Sequence, residues 1–288
     1  MELNRIYNED CLIGMKKIKE NSIDLTITSP PYDKLREYTG FTFNFEEIAK
    51  EIYRITKKGG VLVWIVNDST VKGSETGTSF KQALYFKDIG FRLHDTMIFA
   101  KNNPLPLTHN RYEQQFEYMF VFSKDKPKTF NPIKKRNKNY GKIKTGTHRK
   151  NKKDLANMSG SNKIVKKDSI KNNIWFYSVN RGAISKDLSV HNHPAAFPEQ
   201  LAIDHIVSWS NEGDLVLDPF IGSGTTAIAS IETKRNFIGF DISREYCNLA
   251  NERIAKHTKQ TDLFEVMDNW ANTTQKKLST KELYSIAQ

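Results

Sequence analysis

Short apolar runs rich in β-branched residues alternate along this chain with segments whose apolar residues recur at helical spacing. Residues Ile23–Ile27, Val61–Val66 and Leu215–Leu217 have the strand pattern, whereas apolar residues between Phe45 and Ile55 recur every three or four positions. Strands that alternate with helices form a mostly parallel sheet with helices on both faces. The pattern therefore predicts an α/β fold, in which ligands bind beyond the carboxyl ends of the strands.

The length and the cysteine usage restrict the class of protein. At 288 residues the chain can bury the core of one large domain, with or without an insertion. Its two cysteines, Cys11 and Cys247, have no metal-ligand spacing, and the pair His191 and His193 has no third ligand nearby. No apolar run approaches the roughly 20 residues that span a bilayer. We therefore expect a cytoplasmic protein without disulfides, metal or a membrane anchor.

The formal net charge of +11 is concentrated in one segment. Between Lys126 and Lys171 sixteen Lys and Arg residues face two acids, so the rest of the chain is slightly acidic. Such a basic segment is typical of proteins that bind the phosphate backbone of nucleic acids, although a solvated loop is the alternative interpretation. The phosphate contacts predicted here are Lys134, Lys135, Arg136, Lys138, Arg149 and Lys150.

A glycine-containing loop follows the strand Leu215–Leu217 and matches the pattern G-x-G-x-x-A. Gly222 and Gly224 allow a ligand to approach the backbone, and the helix that follows presents free N–H groups to an anion. Asp241 ends the next strand about 20 residues on, where an acid commonly binds ribose hydroxyls. Asp218 suits a ligand ammonium better than a pyrophosphate. The loop therefore favours S-adenosylmethionine over a dinucleotide, with a purely structural turn as the alternative.

The strand Ile23–Ile27 runs into the segment Thr28-Ser29-Pro30-Pro31-Tyr32. Two prolines make the loop rigid and remove two N–H donors, so the loop offers oxygen acceptors to a substrate NH₂ group. The Ser29 hydroxyl and the Pro30 carbonyl suit the two amine hydrogens, and Tyr32 suits stacking on a base extruded from a duplex. A rigid turn with Tyr32 as a packing residue is the alternative.

These motifs resemble those of the bacterial amino-directed, S-adenosylmethionine-dependent DNA methyltransferases, in particular the β group, whose catalytic motif precedes its cofactor motif. The similarity covers Ile6–Tyr32, Lys57–Trp64, parts of Phe91–Ser123, and His193–Ser243. Within these ranges, residues 8–11 resemble the family's acidic motif and residues 193–200 its other cofactor motif. Four motifs in one characteristic order are a specific signal.

The resemblance implies a Rossmann-like methyltransferase fold, with a mostly parallel seven-stranded sheet and helices on both faces. It divides the chain into a catalytic part (1–123), an inserted basic target-recognition region (124–173), a cofactor-binding part (174–257) and a polar tail (258–288). It assigns catalysis to Ser29, Pro30, Pro31 and Tyr32. It assigns binding of S-adenosylmethionine to Asp10, His193, Phe197, Asp218, Phe220, Gly222, Gly224, Thr225 and Asp241.

The resemblance implies a sequence-specific enzyme that methylates double-stranded DNA by direct transfer, without a covalent cysteine intermediate. Ser29 stands where adenine-directed members commonly have aspartate, so we favour cytosine N4 over adenine N6 as the target. RNA or protein glutamine methylation is a more distant alternative, and a non-catalytic DNA-binding module is a rival from another class. The residues leave open whether a cognate restriction endonuclease accompanies the protein and whether it forms homodimers.

Overall fold

A computed structural model of the chain describes residues 1–31, 43–104, 110–143, 148–149, 158–159, 163–180, 182, 184–185, 187 and 197–259. The strands in this part of the chain are β1 (Arg5–Asn8), β2 (Ile23–Thr28), β3 (Thr56–Val66), β4 (Thr70–Val71), β5 (Ser74–Glu75), β6 (Arg92–Lys101), β7 (Phe116–Ser123), β8 (Lys134–Arg136), β9 (His148–Arg149), β10 (Met158–Ser159), β11 (Asp168–Ile170), β12 (Ile174–Tyr177), β13 (Leu215–Asp218) and β14 (Asn236–Asp241). The helices are α1 (Cys11–Lys16), α2 (Phe45–Ile55), α3 (Thr78–Asp88), α4 (Glu199–Trp209), α5 (Thr225–Glu232) and α6 (244–259).

Eight strands form the central sheet in the order β1-β14-β13-β2-β3-β7-β6-β12. The first five strands are parallel to one another, β7 is antiparallel to both of its neighbours, and β12 is parallel to β6. Because the sheet is mostly parallel, the carboxyl ends of β1, β14, β13, β2 and β3 meet along one edge. Of the residues expected to bind the cofactor and the substrate amine, Asp10, Ser29, Asp218 and Asp241 lie at that edge.

Helices cover both faces of the sheet, and each face has its own apolar core. Adjacent residues of β3 point to opposite faces, so Trp64 packs with α1, α2 and α3 while Val63 packs with α4. A third cluster joins α6 to β1 and β14, with Cys247 and Ala250 against Ile6. Every residue of Val61–Val66 is at most 1% exposed, which explains why this strand reads as a continuous apolar run.

The basic segment contains ordered β structure. Strands β8 and β11 pair antiparallel, with Lys134 opposite Ile170 and Arg136 opposite Asp168. The Asn137 amide supports the end of this pair, because it donates to the Lys166 carbonyl (2.9 Å) while its oxygen accepts from a serine of β11. Strands β9 and β10 form a second short antiparallel pair. The region expected to be an inserted target-recognition region therefore includes two short antiparallel strand pairs.

The predicted α/β fold class is confirmed, with local differences. The sheet has eight strands where seven were expected, because β12 adds to β6 at the edge. The strand patterns named from the sequence form β2, β3 and β13, and the helical spacing forms α2, although β3 begins at Thr56, five residues before the predicted start. The sequence analysis did not predict α6 or the short strands β4 and β5. Among the described residues, no helix is both long and apolar enough to cross a bilayer.

Candidate active site

Four predicted site residues lie at the ends of four adjacent strands. In the sheet order, Asp10 follows β1, Asp241 ends β14, Asp218 ends β13 and Ser29 follows β2. The register places Asn8 beside Asp241 and Asp218 beside Gly239, so β1 and β14 extend two residues beyond the end of β13. The fold thus brings together residues that are separated by as much as 231 positions in the sequence.

The two central strand ends are joined by the carboxylate of Asp218, which is 2% exposed. Its Oδ1 accepts from the Thr28 hydroxyl at 2.6 Å and from the Phe220 N–H at 3.0 Å, and its Oδ2 accepts from the Thr226 hydroxyl at 2.6 Å. Asp218 therefore holds together the glycine loop, the start of α5 and the end of β2. The predicted catalytic loop, residues 28–32, begins at that end of β2. The ammonium contact expected for Asp218 stays a prediction.

The glycine loop has the left-handed backbone conformation that its sequence indicates. Gly222 and Gly224 adopt φ values of +50° and +84°, and a Cβ on Gly224 would lie 2.9 Å from the Ala250 Cβ of α6. No side chain caps the N-terminus of α5. The first N–H groups of α5 therefore have no partner within their own helix, and this end of α5 suits a polar or anionic ligand group. Thr225 is 3% exposed, and its hydroxyl has no hydrogen-bond partner among the described residues.

The outer pair of acids also has structural partners. Asp241 Oδ2 accepts from the Gly222 N–H at 3.0 Å, and its Oδ1 accepts from the Ser243 N–H at 2.8 Å. Asp10 caps α1, because its Oδ1 accepts from the N–H of Leu12 at 2.8 Å. Within the described part of the chain, Asp10 Oδ2 accepts no hydrogen bond. Each acid keeps acceptor capacity for a ligand hydroxyl or amine.

The catalytic loop begins beside the glycine loop. Pro30 is buried and Ser29 and Pro31 are half-buried, whereas Tyr32 lies outside the described residues. Where the described chain resumes, the Phe43 ring lies 5.8 Å from the ring of Phe220. Both ends of the interval 32–42 therefore lie near the glycine loop, where Phe43 packs against Phe220.

The remaining predicted residues fall into two groups. Phe197 is half-buried and packs against the apolar core beneath α4, while His193 lies outside the described residues. Lys134, Lys135, Arg136 and Lys138 are exposed, as phosphate contacts would need to be. Only the backbone of Arg149 is described, in β9, and Lys150 lies outside the described residues. None of these DNA or cofactor contacts is tested by the structure, and they stay predictions.

Burial determines the electrostatics of the site. It raises the pKa of Asp218 to about 6, while the hydrogen bonds from Thr226, Thr28 and Phe220 partly oppose that rise. Burial also raises the pKa of Asp241. The two thiols are protonated at neutral pH, because burial raises the pKa of Cys11 to about 12 and that of Cys247 to about 11. Neither thiol is therefore activated as a nucleophile.

Sequence reasoning missed the two threonines that hold Asp218. Thr28 belongs to the quoted catalytic segment, yet its partner lies 190 positions away, and no local pattern reports such a contact. Thr226 follows Thr225, and only one of the two hydroxyls reaches Asp218. No cluster of three or more His, Cys, Asp or Glu residues that could hold a metal ion occurs in the described ranges.

Comparison with known proteins gives the family. A model of the DNA methylase family matches residues 23–252. The orphan methyltransferase M.BamHII of Bacillus amyloliquefaciens is 53% identical over 247 residues, which cover 83% of this chain and 93% of that protein. The DNA adenine methyltransferase YhdJ of Escherichia coli (strain K12) is 26% identical over 304 residues, which cover 98% of this chain and 94% of that protein.

Solved structures agree on the fold. The PvuII DNA methyltransferase (cytosine-N4-specific) has a TM-score of 0.62 at 23% identity, over 85% of this chain and 84% of that chain. The M1.HpyAVI–SAM complex has a TM-score of 0.56 at 24% identity, over 86% of this chain and 98% of that chain. The match across the catalytic and glycine loops, together with the arrangement of those loops, shows that the chain belongs to the DNA methylase family of N4- and N6-directed amino methyltransferases.

Proposed function

We propose that this DNA methyltransferase transfers a methyl group from S-adenosylmethionine to the exocyclic amine of an extruded base, with cytosine N4 as the favoured target. The observation that carries the proposal is the hydrogen bond from Thr28 to Asp218. It holds the loop that suits an amine directly beside the loop that suits the cofactor. Two substrates held in adjacent, fixed loops react as if in one molecule, which lowers the entropic part of the barrier.

The residues of the glycine loop fit the cofactor. S-adenosylmethionine supplies an electrophilic methyl group on a positively charged sulfur. The uncapped N-terminus of α5 offers N–H donors for the carboxylate of its amino-acid part, and Asp241 offers an acceptor for ribose hydroxyls. Asp10, at the neighbouring strand end, offers an acceptor for the adenine amine. The positive φ of Gly224 sets the turn from which α5 begins.

The catalytic loop orients the substrate nitrogen. The Ser29 hydroxyl and the Pro30 carbonyl accept the two amine hydrogens, which turns the nitrogen lone pair out of ring conjugation and towards the methyl carbon. Tyr32 stacks on the extruded base and offsets part of the few kcal/mol that unstacking costs. When the nitrogen–carbon bond forms, the carbon–sulfur bond breaks. The nitrogen then loses one proton, and the alkylated amine is acidic enough to need no strong base.

The target base rests on one residue. Ser29 stands where adenine-directed enzymes of this family commonly have aspartate, which favours cytosine N4, and a cytosine-N4-specific enzyme shares the fold. Adenine N6 is the second candidate, because the similarity to a DNA adenine methyltransferase extends over 98% of this chain. The exocyclic amines of both bases fit the same pair of acceptors, so the chemistry of the loop alone does not separate them.

Product analysis tests the proposal. The purified protein is incubated with bacterial DNA and methyl-labelled S-adenosylmethionine, the DNA is digested to nucleosides, and the labelled nucleoside is identified by mass spectrometry. We expect N4-methylcytosine. Labelled N6-methyladenine would retain the site and move the target to adenine. Tight DNA binding without any label would instead support a non-catalytic DNA-binding module.

A variant pair tests the role of the loop. Ser29→Ala removes one acceptor for the substrate amine, so we expect kcat to fall by roughly 10- to 100-fold while the Kd for S-adenosylmethionine is unchanged. Ser74→Ala, in the exposed strand β5, is the control and should turn over normally. Normal turnover by Ser29→Ala would show that the acceptor is assigned to the wrong residue.

A further inference from the structure

The side chain of Arg253 in α6 is fully buried beside the glycine loop, and the catalytic scheme above does not use it. A buried guanidinium needs partners, because its charge is strongly disfavoured away from water. Arg253 Nη1 donates to the carbonyl oxygen of Ser223, and Nη2 donates to Glu199 Oε1 at 2.7 Å and to Ser185 Oγ at 3.4 Å. Its Nε lies 3.8 Å from Asp187 Oδ2. Two carboxylates therefore offset one cation.

These contacts hold three separate parts of the chain. Ser223 belongs to the glycine loop, and Ser185 and Asp187 precede the segment 193–200 that resembles a cofactor motif. Glu199 lies within that segment and is the first residue of α4. The Ser223–Gly224 peptide is held at both ends, since its carbonyl accepts from Arg253 and its N–H donates to the Ile221 carbonyl at 2.9 Å. A peptide fixed at both ends cannot rotate without losing one of these bonds.

The same face of α6 supports the loop a second time. Ala250 lies three positions before Arg253, so both side chains project from one side of the helix. Ala250 packs against Gly224, where an added Cβ would come within 2.9 Å. One helix thus sets the position of the loop by contact at Gly224 and its rotation by the hydrogen bond to Ser223.

We propose that Arg253 is a positioning residue of the cofactor site, which fixes the glycine loop in the shape that receives S-adenosylmethionine and joins it to the start of α4. This inference rests on the function proposed above. The planar guanidinium contacts Ser223, Glu199 and Ser185 at once, which the single ammonium of a lysine cannot do with the same geometry. Arg253 touches neither the cofactor nor the base in this scheme.

The test uses Arg253→Lys and Arg253→Met, with Arg244→Met as the matched control, because Arg244 is an exposed arginine of the same helix. Thermal unfolding reports the fold, and isothermal titration calorimetry without DNA gives the Kd for S-adenosylmethionine. We expect both Arg253 variants to raise this Kd by roughly 10- to 100-fold, with the lysine variant the less affected. The KM for DNA should change less than about twofold. Arg244→Met should match the wild type.

Glu199→Gln gives a second, independent variant. If Glu199 acts on the loop through Arg253, the glutamine variant should weaken cofactor binding, and adding Arg253→Met should weaken it no further than Arg253→Met alone. Folded Arg253 variants with the wild-type Kd would overturn the proposal. It would also be overturned if the variants lost stability, bound S-adenosylmethionine more weakly and had a proportionally higher KM for DNA, because a general loss of structure would explain all three. A wild-type protein that bound no S-adenosylmethionine would instead refute the proposed function itself.

Discussion

The Thr28 hydroxyl donates a hydrogen bond of 2.6 Å to Asp218, across two strands whose residues are 190 positions apart in the sequence. This contact lies inside the protein, because Thr28 and Asp218 are 0% and 2% exposed. It couples the start of the catalytic loop to the start of the glycine loop. On the function proposed above, the two halves of the site have a fixed separation before any ligand binds, and this preorganisation would reduce the reorganisation needed for methyl transfer.

Replacing Thr28 by valine should separate this coupling from packing. Thr28→Val keeps the shape but leaves a buried carboxylate with one donor fewer, so we expect a loss of about 1–3 kcal/mol in the free energy of unfolding and a lower kcat. Thr26→Val is the matched control, because Thr26 is buried in the same strand and its hydroxyl has no partner among the described residues. Urea denaturation and turnover measure both variants. Equal losses in the two variants would contradict the coupling.

The raised pKa of Asp218 predicts a defined pH dependence. Burial raises this pKa from 3.8 to about 6, so between these values the folded state binds a proton that the unfolded state has released. The stability linked to Asp218 is therefore present below pH ~4 and is lost as the pH rises through ~6, by about 3 kcal/mol in total. Chemical denaturation of the wild type and Asp218→Asn from pH 4 to 7 measures it. We expect the wild type to lose stability relative to the variant across this window, and a constant difference would contradict the prediction.

Local sequence patterns predicted the sheet strands and the glycine loop well, because these depend on nearby residues. The strand predicted over Ile23–Ile27 forms β2 with one further residue, Thr28, and Gly222 and Gly224 have the positive φ values that such a loop requires. The antiparallel pair of β8 and β11 was not predicted, since its strands are polar and lack apolar alternation. Its stability depends on cross-strand hydrogen bonds, which a reading of single segments does not reveal.

The supporting residues of the site were not predictable for a related reason. Thr28, Thr226 and Arg253 act through partners that are distant in sequence, or through a choice between neighbouring side chains. A threonine in a strand and an arginine in a polar helix are ordinary residues at those positions. Only the fold brings them to the strand ends. The sequence therefore predicts which loops bind the ligands, and the structure adds how those loops are held.

The close approach of Gly224 to α6 predicts a second matched comparison. Gly224→Ala introduces a side chain at φ +84° and 2.9 Å from the Ala250 Cβ, so we expect it to destabilise the fold and to weaken binding of S-adenosylmethionine by at least roughly tenfold. Gly213→Ala has the same φ of +84° but open space around its Cβ, so it should cost only the roughly 1–2 kcal/mol of backbone strain. Thermal unfolding and calorimetry distinguish the two. Equal effects on cofactor binding would contradict a specific role for the contact with α6.

The exposed cations of β8 predict a salt-dependent contribution to DNA binding. Lys134 and Arg136 lie on one side of this strand, whereas the Lys135 amine donates to Asn172 at 2.7 Å. If Lys134 and Arg136 each neutralise a phosphate, the double variant Lys134→Gln/Arg136→Gln should reduce the slope of log Kd against log salt by about two units, on any DNA sequence.

The control is the double variant Lys81→Gln/Lys87→Gln, which changes two exposed lysines of α3 and removes the same amount of positive charge outside the basic segment. Fluorescence anisotropy from ~50 to ~200 mM salt measures the slopes. If both double variants reduced the slope equally, the effect would reflect the net charge of the protein, and strand β8 would not be the DNA contact.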